Sequence, residues 1–425
     1  MPKSMFRVAL RAAVCCSVVG APSVLAQSTT YVVDDNGGPG VNFTDLPLAI
    51  AAAQPGDVLS VRPGSYSSFT LGKGLTIVGE FGAVVDAGTH VVGLPADERA
   101  VICAIDFGAL SVSACSGNVT VDECSFTGQT TATGLVRVSN STDVRFHRTK
   151  IFAEVRPNSS LHAGSSAVVI DASRVEFSSC VVRGGDGGAA TSFGSGGKGG
   201  VGIECSAGGR AHVALTNVTG GKGGKGVLYG PSGGDGGPGI GVYGGGAVIV
   251  AGTPNNFVRG GNMGTPWSMG FQNPGSGVRI GVGSSLRYSG STIDSGAPYL
   301  VPAIHNFGTV LHATPDDPTL EMIGHPSAGA SVQLVVHGVA GMNARLQQGN
   351  QMLVVDDGQT EIERLDNRIR LHPLGPIPTG GSIAYTMNVP ASWPVGRLRL
   401  FQGQEVDAAT GALLERTNSA FVIVH

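Results

Sequence analysis

The sequence predicts an all-β chain: a solenoid of stacked coils with glycine-rich inserted turns, followed by a small β-sandwich. Three observations carry this expectation. Short strand patterns recur at near-regular spacing across residues 118–290. Glycine, 68 of the 425 residues, concentrates in segments that fall between those patterns. Beyond residue 312 the glycine thins, and short alternating strands separated by Gly/Pro turns take over.

The first residues read as an export signal. Lys3, Arg7 and Arg11 precede an apolar run over 12–19, and Val24-Leu25-Ala26 ends in a small residue, so cleavage is expected near Ala26. No later stretch reaches about 20 unbroken apolar residues, so no transmembrane segment is expected. The mature protein is therefore expected to be secreted, extracellular or on the cell surface. Loss of the three cations takes the formal net charge from −3 to −6, which argues against nucleic acid as a partner. Charged residues make up 13% of the chain, roughly half the usual fraction, leaving a surface of Ser, Thr, Asn and Gly. Five cysteines follow the signal: Cys103, Cys115, Cys124, Cys180 and Cys205. Export permits disulfides, but an odd number leaves at least one thiol unpaired or bonded between chains. No CxxC pair occurs and no His stands at ligand spacing from a Cys, so neither a metal nor a cofactor is expected.

Residues 31–80 have the grammar strand, helix, strand, turn, strand. Val32 and Val33 begin a β run that Asn36-Gly37-Gly38-Pro39-Gly40 ends. Thr44 or Asp45 can cap a short helix with Leu46, Ala49, Ile50 and Ala53 on one face, and Pro55-Gly56 stops it. The stretch resembles the N-terminal cap of secreted right-handed parallel β-helix proteins, the pectin-lyase-like superfamily. Phe43, Thr44, Ala49, Ile50, Ala53, Pro55, Gly56, Asp57, Val61, Pro63, Gly64, Tyr66, Lys73, Leu75, Thr76, Ile77 and Gly79 carry the likeness. It implies a right-handed parallel β-helix over residues 27–312, with a cap over about 30–80. It implies no chemistry, because a cap only covers the open end of a solenoid.

The internal repeat agrees. Val119, Val144 and Val175 match, as do Val121, Phe146 and Phe177, then Cys124, Thr149 and Cys180, at offsets of 25 and 31 residues. Alternation places these residues inward and the intervening ones outward. Later coils, over about 184–290, fill with glycine, and GVGIECSAGG, GPGIGVYGGG and GSGVRIGVGSS recur at steps of 37 and 38. The glycine lies at one place in successive coils, as an inserted turn. Strict Gly every third residue with abundant Pro, as collagen needs, is missing. GGDGG lacks the second acid of a calcium-binding nonapeptide, and Lys198, Lys222 and Lys225 are each followed by Gly rather than by the Ser/Thr of a P-loop. Two alternatives stay open at this point: disordered loop tips, or stacked extended glycine segments.

Residues 313–425 read as the sandwich. Leu400, Gln402, Asp407, Asn418, Ser419 and Ala420 resemble a C-terminal domain of large secreted bacterial proteins. That domain has no assigned activity, so attachment, stability or export is implied. The linker at Pro315 to Pro318 is short, and the second domain is expected to cover the edge of the last coil.

The superfamily contains pectate lyases, polygalacturonases, pectin esterases and epimerases, so the resemblance makes an enzyme a real alternative. Their motifs are not assembled here. Arg148-Thr149-Lys150 supplies an Arg-x-Lys pattern, but no Gly-His-Gly accompanies it. Coil stacking at about 4.8 Å places outward Arg145 beside Glu176 and Asp122 beside His147. On an open wall these four would form a ligand patch, with Arg gripping a carboxylate and His and an acid moving a proton; a surface ion-pair ladder is the plainer reading. Trp267 and Tyr229 could stack on sugar or pin their loops, Trp393 belongs to the sandwich, and Cys124 and Cys180 are expected to be buried. His162, His212, His305 and His312 read as structural. The functional expectation is a non-enzymatic secreted or cell-surface protein with a structural, adhesive or glycan-contacting role. The alternative is a polysaccharide lyase or glycoside hydrolase acting on an acidic polysaccharide.

Overall fold

A computed structural model describes residues 28–425 apart from 129–133, 155–162, 191–194, 227–232, 266–271, 298–300, 314–316, 350, 357–360 and 367–369. The expected signal peptide, His162, Tyr229, Trp267 and part of the linker lie outside the described residues. The architecture is a parallel β-helix carrying an antiparallel β-sandwich. Among the described residues no helix is long and apolar enough to cross a membrane.

The cap forms as its sequence dictates. Asp45 accepts a hydrogen bond from Leu46 N at 2.8 Å and starts the helix Leu46–Ala52, which buries Leu46, Ala49 and Ile50. The strand Thr30–Val33 then opens a parallel sheet of eleven strands, one from each coil, ending at Thr309–His312. A second parallel sheet forks at the strand Asp106–Ser113. Its first half pairs with Ser125–Gly128 and its second half with Val136–Ser139. Each later coil inserts its extra residues between these two branches. The glycine segments therefore do occupy one place in successive coils, and Ile203, Ile240 and Val278 stack in register.

Inward side chains from both sheets build one continuous core. Phe69, Phe107, Phe126, Phe146 and Phe177 form a column with ring centroids 5.3–6.5 Å apart, alternating edge and stacked contacts. Cys124, Thr149 and Cys180 are buried as expected, and all five cysteines are free. Burial pushes the thiols of Cys180 and Cys205 up to about 12, which leaves them unreactive. Corners repeat too. Ala104, Glu123, Arg148, Ser179 and Leu215 each follow the end of a first-sheet strand and hold φ between 45° and 56°, a left-handed conformation that residues other than glycine rarely adopt.

The glycine segments form a packed slab. Gly184, Gly187 and Ala190 donate to the carbonyls of Thr219, Lys222 and Lys225 in the next coil at 2.7–2.9 Å, stepping three residues each time. Crosswise bonds run Gly200 to Gly185, Gly221 to Gly200, Gly237 to Gly221 and Gly261 to Gly237, at 2.7–2.9 Å. A three-residue step is that of a polyproline II helix, which makes no internal hydrogen bonds and leaves its amides free for neighbours. The Gly-Gly-X pattern follows. Two positions in three face adjacent segments and admit no Cβ, while Lys198, Lys222, Lys225 and Asn262 stand at the third and are exposed. A Cβ at Gly221 would lie 1.9 Å from the Gly185 carbonyl oxygen.

The sandwich pairs Thr319–Ile323, Ser331–His337 and Ser382–Asn388 in one sheet, and Arg370–Pro376, Asn343–Gly349, Leu398–Val406 and Leu413–Ile423 in another. Its core holds Leu320, Val332, Leu334, Leu346, Phe401 and Val422, with Trp393 packed against it. Its placement corrects one expectation: it does not cover the last coil, where Leu311 is 56% exposed. Asp317 in the linker bonds to Arg287 and accepts from Ser289 Oγ at 3.3 Å, which turns the chain back along the solenoid wall.

Gly221→Ala is expected to cost about 2 kcal/mol or more by overpacking. Gly88→Ala, where no atom lies within 4 Å of the new Cβ, should stay within about 0.5 kcal/mol. Urea unfolding of the two variants checks both values.

Candidate functional site

The wall residues singled out from the sequence lie where the sandwich docks. Register pairs Arg145 with Glu176 and His147 with Asp122, as coil stacking requires. Their exposure is the correction. Asp122, Arg145, His147 and Glu176 point outward from the solenoid yet are at most 2% exposed, because the strand Leu413–Ile423 lies across them. Glu176 accepts from Ser419 N at 3.0 Å and Ser419 Oγ at 2.9 Å, and Arg145 Nη1 donates to Ser419 Oγ at 3.3 Å. Asn418 Nδ2 donates to Ser178 Oγ at 2.8 Å, while its Oδ1 accepts from Leu320 N at 2.7 Å. An apolar seam of Val101, Cys103, Leu400, Phe421 and Ile423 seals the contact beside them. No ligand reaches an Asp122, Arg145, His147 and Glu176 patch while the sandwich is docked.

One edge of this interface opens into a cleft of about 540 Å³. Its chemistry comes from corner residues. Glu123 and Arg148 follow Asp122 and His147 on successive coils, and their left-handed φ values of 50° and 46° turn them out of the strand line toward the sandwich. Arg148 donates from Nη2 to Asp122 Oδ2 at 2.6 Å and from Nε to Asp122 Oδ1 at 3.1 Å, and its Nη1 lies 2.5 Å from Glu123 Oε1. From the sandwich side come His325, whose Nδ1 is 3.1 Å from Glu123 Oε2, and His425, whose Nε2 is 3.5 Å from the same oxygen. Glu80, Asp106 and Lys150 also line the cleft.

Electrostatics divide the cluster. Burial pushes the Asp122 carboxyl up, but Arg148 and His147 outweigh it and hold the group well below the usual carboxylate range. An ionised carboxylate only accepts, so His147 Nδ1 carries the proton that it donates to Asp122 Oδ1 at 3.0 Å. Burial pushes both His147 and His425 down, His425 to about 4, so both imidazoles are neutral at neutral pH. Burial raises Glu123 against the pull of Arg148. Cys103 Sγ lies 3.5 Å from His425 Nε2, but burial and the adjacent Asp122 raise its thiol far above the nucleophilic range. The arrangement can bind a cation or an anionic group at the cleft; it has no activated thiol.

Sequence reasoning reached Asp122, Arg145, His147 and Glu176, and met Arg148 and Lys150 only as an Arg-x-Lys pattern; it did not reach Glu123, His325 or His425. The doublets Asp122-Glu123 and His147-Arg148, at equivalent places in neighbouring coils, were the available signal for Glu123 and Arg148. His212, at the next coil of the same sheet, pairs in register with Glu176 and stays outside the cluster, as do His305 and His312.

No family model matches the sequence, and no curated protein matches it. Among solved structures, the sporulation control protein Spo0M of Bacillus subtilis aligns at 14% identity over 26% of this chain and 49% of its own, with a TM-score of 0.17. Tailspike protein 2 of the Escherichia coli O157:H7 bacteriophage CAB120 aligns at 10% identity over 93% of this chain and 64% of its own, with a TM-score of 0.19. The chain spans less than two thirds of either structure, and likenesses this distant carry no functional argument.

Glu176→Ala removes the acceptor for the buried Ser419 amide and one carboxylate beside Arg145, and is expected to cost about 3 kcal/mol. An early undocking step in urea unfolding is the measurement. The second expectation concerns pH. His147, faced by Asp122, Arg148, Glu123 and the Phe421 ring, has a folded pKa below its ordinary 6.5, so the unfolded chain binds more protons as pH falls through that value. Stability should therefore rise with pH through this window and be lost below it. Asp122, whose folded pKa is depressed, keeps its contribution until pH nears its ordinary 3.8, and Glu123 opposes the trend only at the acid end. His147→Gln should reduce the slope in unfolding curves recorded with chelator between pH 7.5 and 5.5, and His425, also depressed by burial, supplies what remains.

Proposed function

We propose that this chain is a secreted, non-enzymatic β-helix scaffold that contacts acidic polysaccharide or a cell-surface glycan. The observation that carries the reading is the fate of the charged wall: Asp122, Arg145, His147 and Glu176 are buried beneath the sandwich, with Arg145 and Glu176 hydrogen-bonded to it. What the solenoid then offers to a polymer is the glycine slab, with Lys198, Lys222 and Lys225 exposed on a hydrogen-bonded support. Ammonium groups on a rigid backbone suit repeated carboxylates, because little conformational entropy is lost when the polymer settles. Export is supported by the leader-like N-terminus and the low charge fraction. A second reading, a polysaccharide lyase or hydrolase, is favoured by the interdomain cleft, where Glu80, Asp106 and Glu123 meet Arg148 and Lys150.

The purified chain should be incubated with plant, algal and bacterial polysaccharides. Reducing ends, unsaturated-uronate absorbance and pull-down are scored in parallel. Binding without product is expected, weakened at least tenfold when Lys198, Lys222 and Lys225 are changed together to Glu. Product formation that disappears in Glu123→Gln would replace this reading with the enzymatic one.

A further inference from the structure

The cleft cluster contains a donor set drawn from three distant parts of the chain. Glu123 comes from a solenoid corner, His325 from the turn after the strand Thr319–Ile323, and His425 from just beyond the strand Leu413–Ile423. Their ligand atoms, one carboxylate oxygen and two imidazole nitrogens, all lie within 4.8 Å of one another. Around a tetrahedral Zn²⁺ with bonds of about 2.0–2.2 Å, donor atoms stand roughly 3.3 Å apart. Glu123 Oε2 is 3.1 Å from His325 Nδ1 and 3.5 Å from His425 Nε2, so two edges of such a tetrahedron are already in place.

The surroundings orient these donors as outer-shell groups orient metal ligands. Arg148 takes Glu123 Oε1 at 2.5 Å and leaves Oε2 turned toward the two imidazoles. The same guanidinium reaches the Gly324 carbonyl at 3.4 Å, which holds the turn bearing His325. The His425 amide donates to the Pro326 carbonyl at 3.2 Å and brings the second imidazole beside the first, with ring centroids 4.8 Å apart. Asp122 is not a donor here, because His147 and Arg148 occupy both of its oxygens. Cys103 shares His425 with a second group that includes Asp122, but burial keeps its thiol protonated.

We propose that Glu123, His325 and His425 form a divalent transition-metal site, best suited to Zn²⁺, with the fourth position facing the cleft. One carboxylate and two imidazoles suit zinc, a borderline ion, better than calcium or magnesium, which take oxygen donors. The ion would join the solenoid to the sandwich at two points of the latter, and so act as a clamp on the docked arrangement. The inference is independent of whether the cleft or the slab meets a polysaccharide.

Tag-free full chain, stripped with chelator, is titrated with Zn²⁺ by calorimetry and with Co²⁺ by visible absorption. One ion per chain is expected, with the ligand-field bands of a tetrahedral nitrogen and oxygen set. Glu123→Gln and His325→Ala should each weaken Zn²⁺ binding at least tenfold, and His305→Ala should leave it unchanged. The His325 side chain is 66% exposed, so its removal does not threaten the fold, and far-ultraviolet circular dichroism checks both variants. Absence of stoichiometric binding, or unchanged affinity in both Glu123→Gln and His325→Ala, would overturn the site.

Discussion

Every coil of the solenoid must repeat its neighbour at the spacing of hydrogen-bonded parallel strands, and the rest of the molecule follows from that constraint. A side chain at a given place in one coil stacks on its equivalent in the next, so properties extend in columns. Val119, Val144 and Val175 stack in register in the core, as do Val121, Phe146 and Phe177. The left-handed column from Ala104 to Leu215 sets one corner. The cost of that conformation for Glu123 and Arg148 is met by the ladders on either side, which fix the corner whatever residue occupies it. The glycine slab is the same rule applied to insertions. Segments of similar length in adjacent coils can stack only if nothing but hydrogen projects toward the neighbour, and Gly-Gly-X supplies that in two directions of three.

The wall is a column as well, and a polar one. Thr120, Asp122, Arg145, His147, Glu176 and Ser178 occupy outward positions on three adjacent strands. Left in water these groups would form a surface ladder of small energetic value. Under the sandwich they are desolvated, and each buried group needs a partner. Ser419 partners Glu176 and Arg145, Asn418 partners Ser178, and Asp122 is held by His147 and Arg148, while Phe421 lies over Arg145 at 5.7 Å and against the His147 ring. The interface thus combines a polar lock with an apolar seam, and the lock fixes which coils the sandwich sits on. An apolar seam alone would slide along a wall whose coils are nearly alike.

How much of this the sequence disclosed depends on the range of the interactions involved. The cap, the inward valines and phenylalanines, and the shared place of the glycine insertions were legible, because strand alternation and period are local signals. Asp122, Arg145, His147 and Glu176 were legible as neighbours for the same reason. Their burial was not, since it is decided by Asn418 and Ser419 at the far end of the chain. Nor were the corners: Glu123 and Arg148 hold left-handed backbone without the glycine that usually announces it. The choice between disordered and stacked glycine segments also lay beyond the sequence. It turns on whether segments in adjacent coils keep a common three-residue phase, and only their hydrogen bonds reveal that.

The site sits where it does because two kinds of ending coincide. On the solenoid, the ends of first-sheet strands put Cys103, Asp122 and His147 beside corner residues whose side chains leave the ladder. On the sandwich, the turn carrying His325 and the end of the strand carrying His425 arrive at that corner together. Strand interiors on both sides are saturated: their backbone groups pair within sheets and their side chains pack against each other. At the corner the contact opens into a cleft, with charged groups held on one side by Arg148 and imidazoles presented from the other. The clustered carboxylate, guanidinium and imidazole groups therefore lie at the rim of this interface. A wall that reads in sequence as a surface ion-pair ladder or a ligand patch serves instead as the seat of the sandwich.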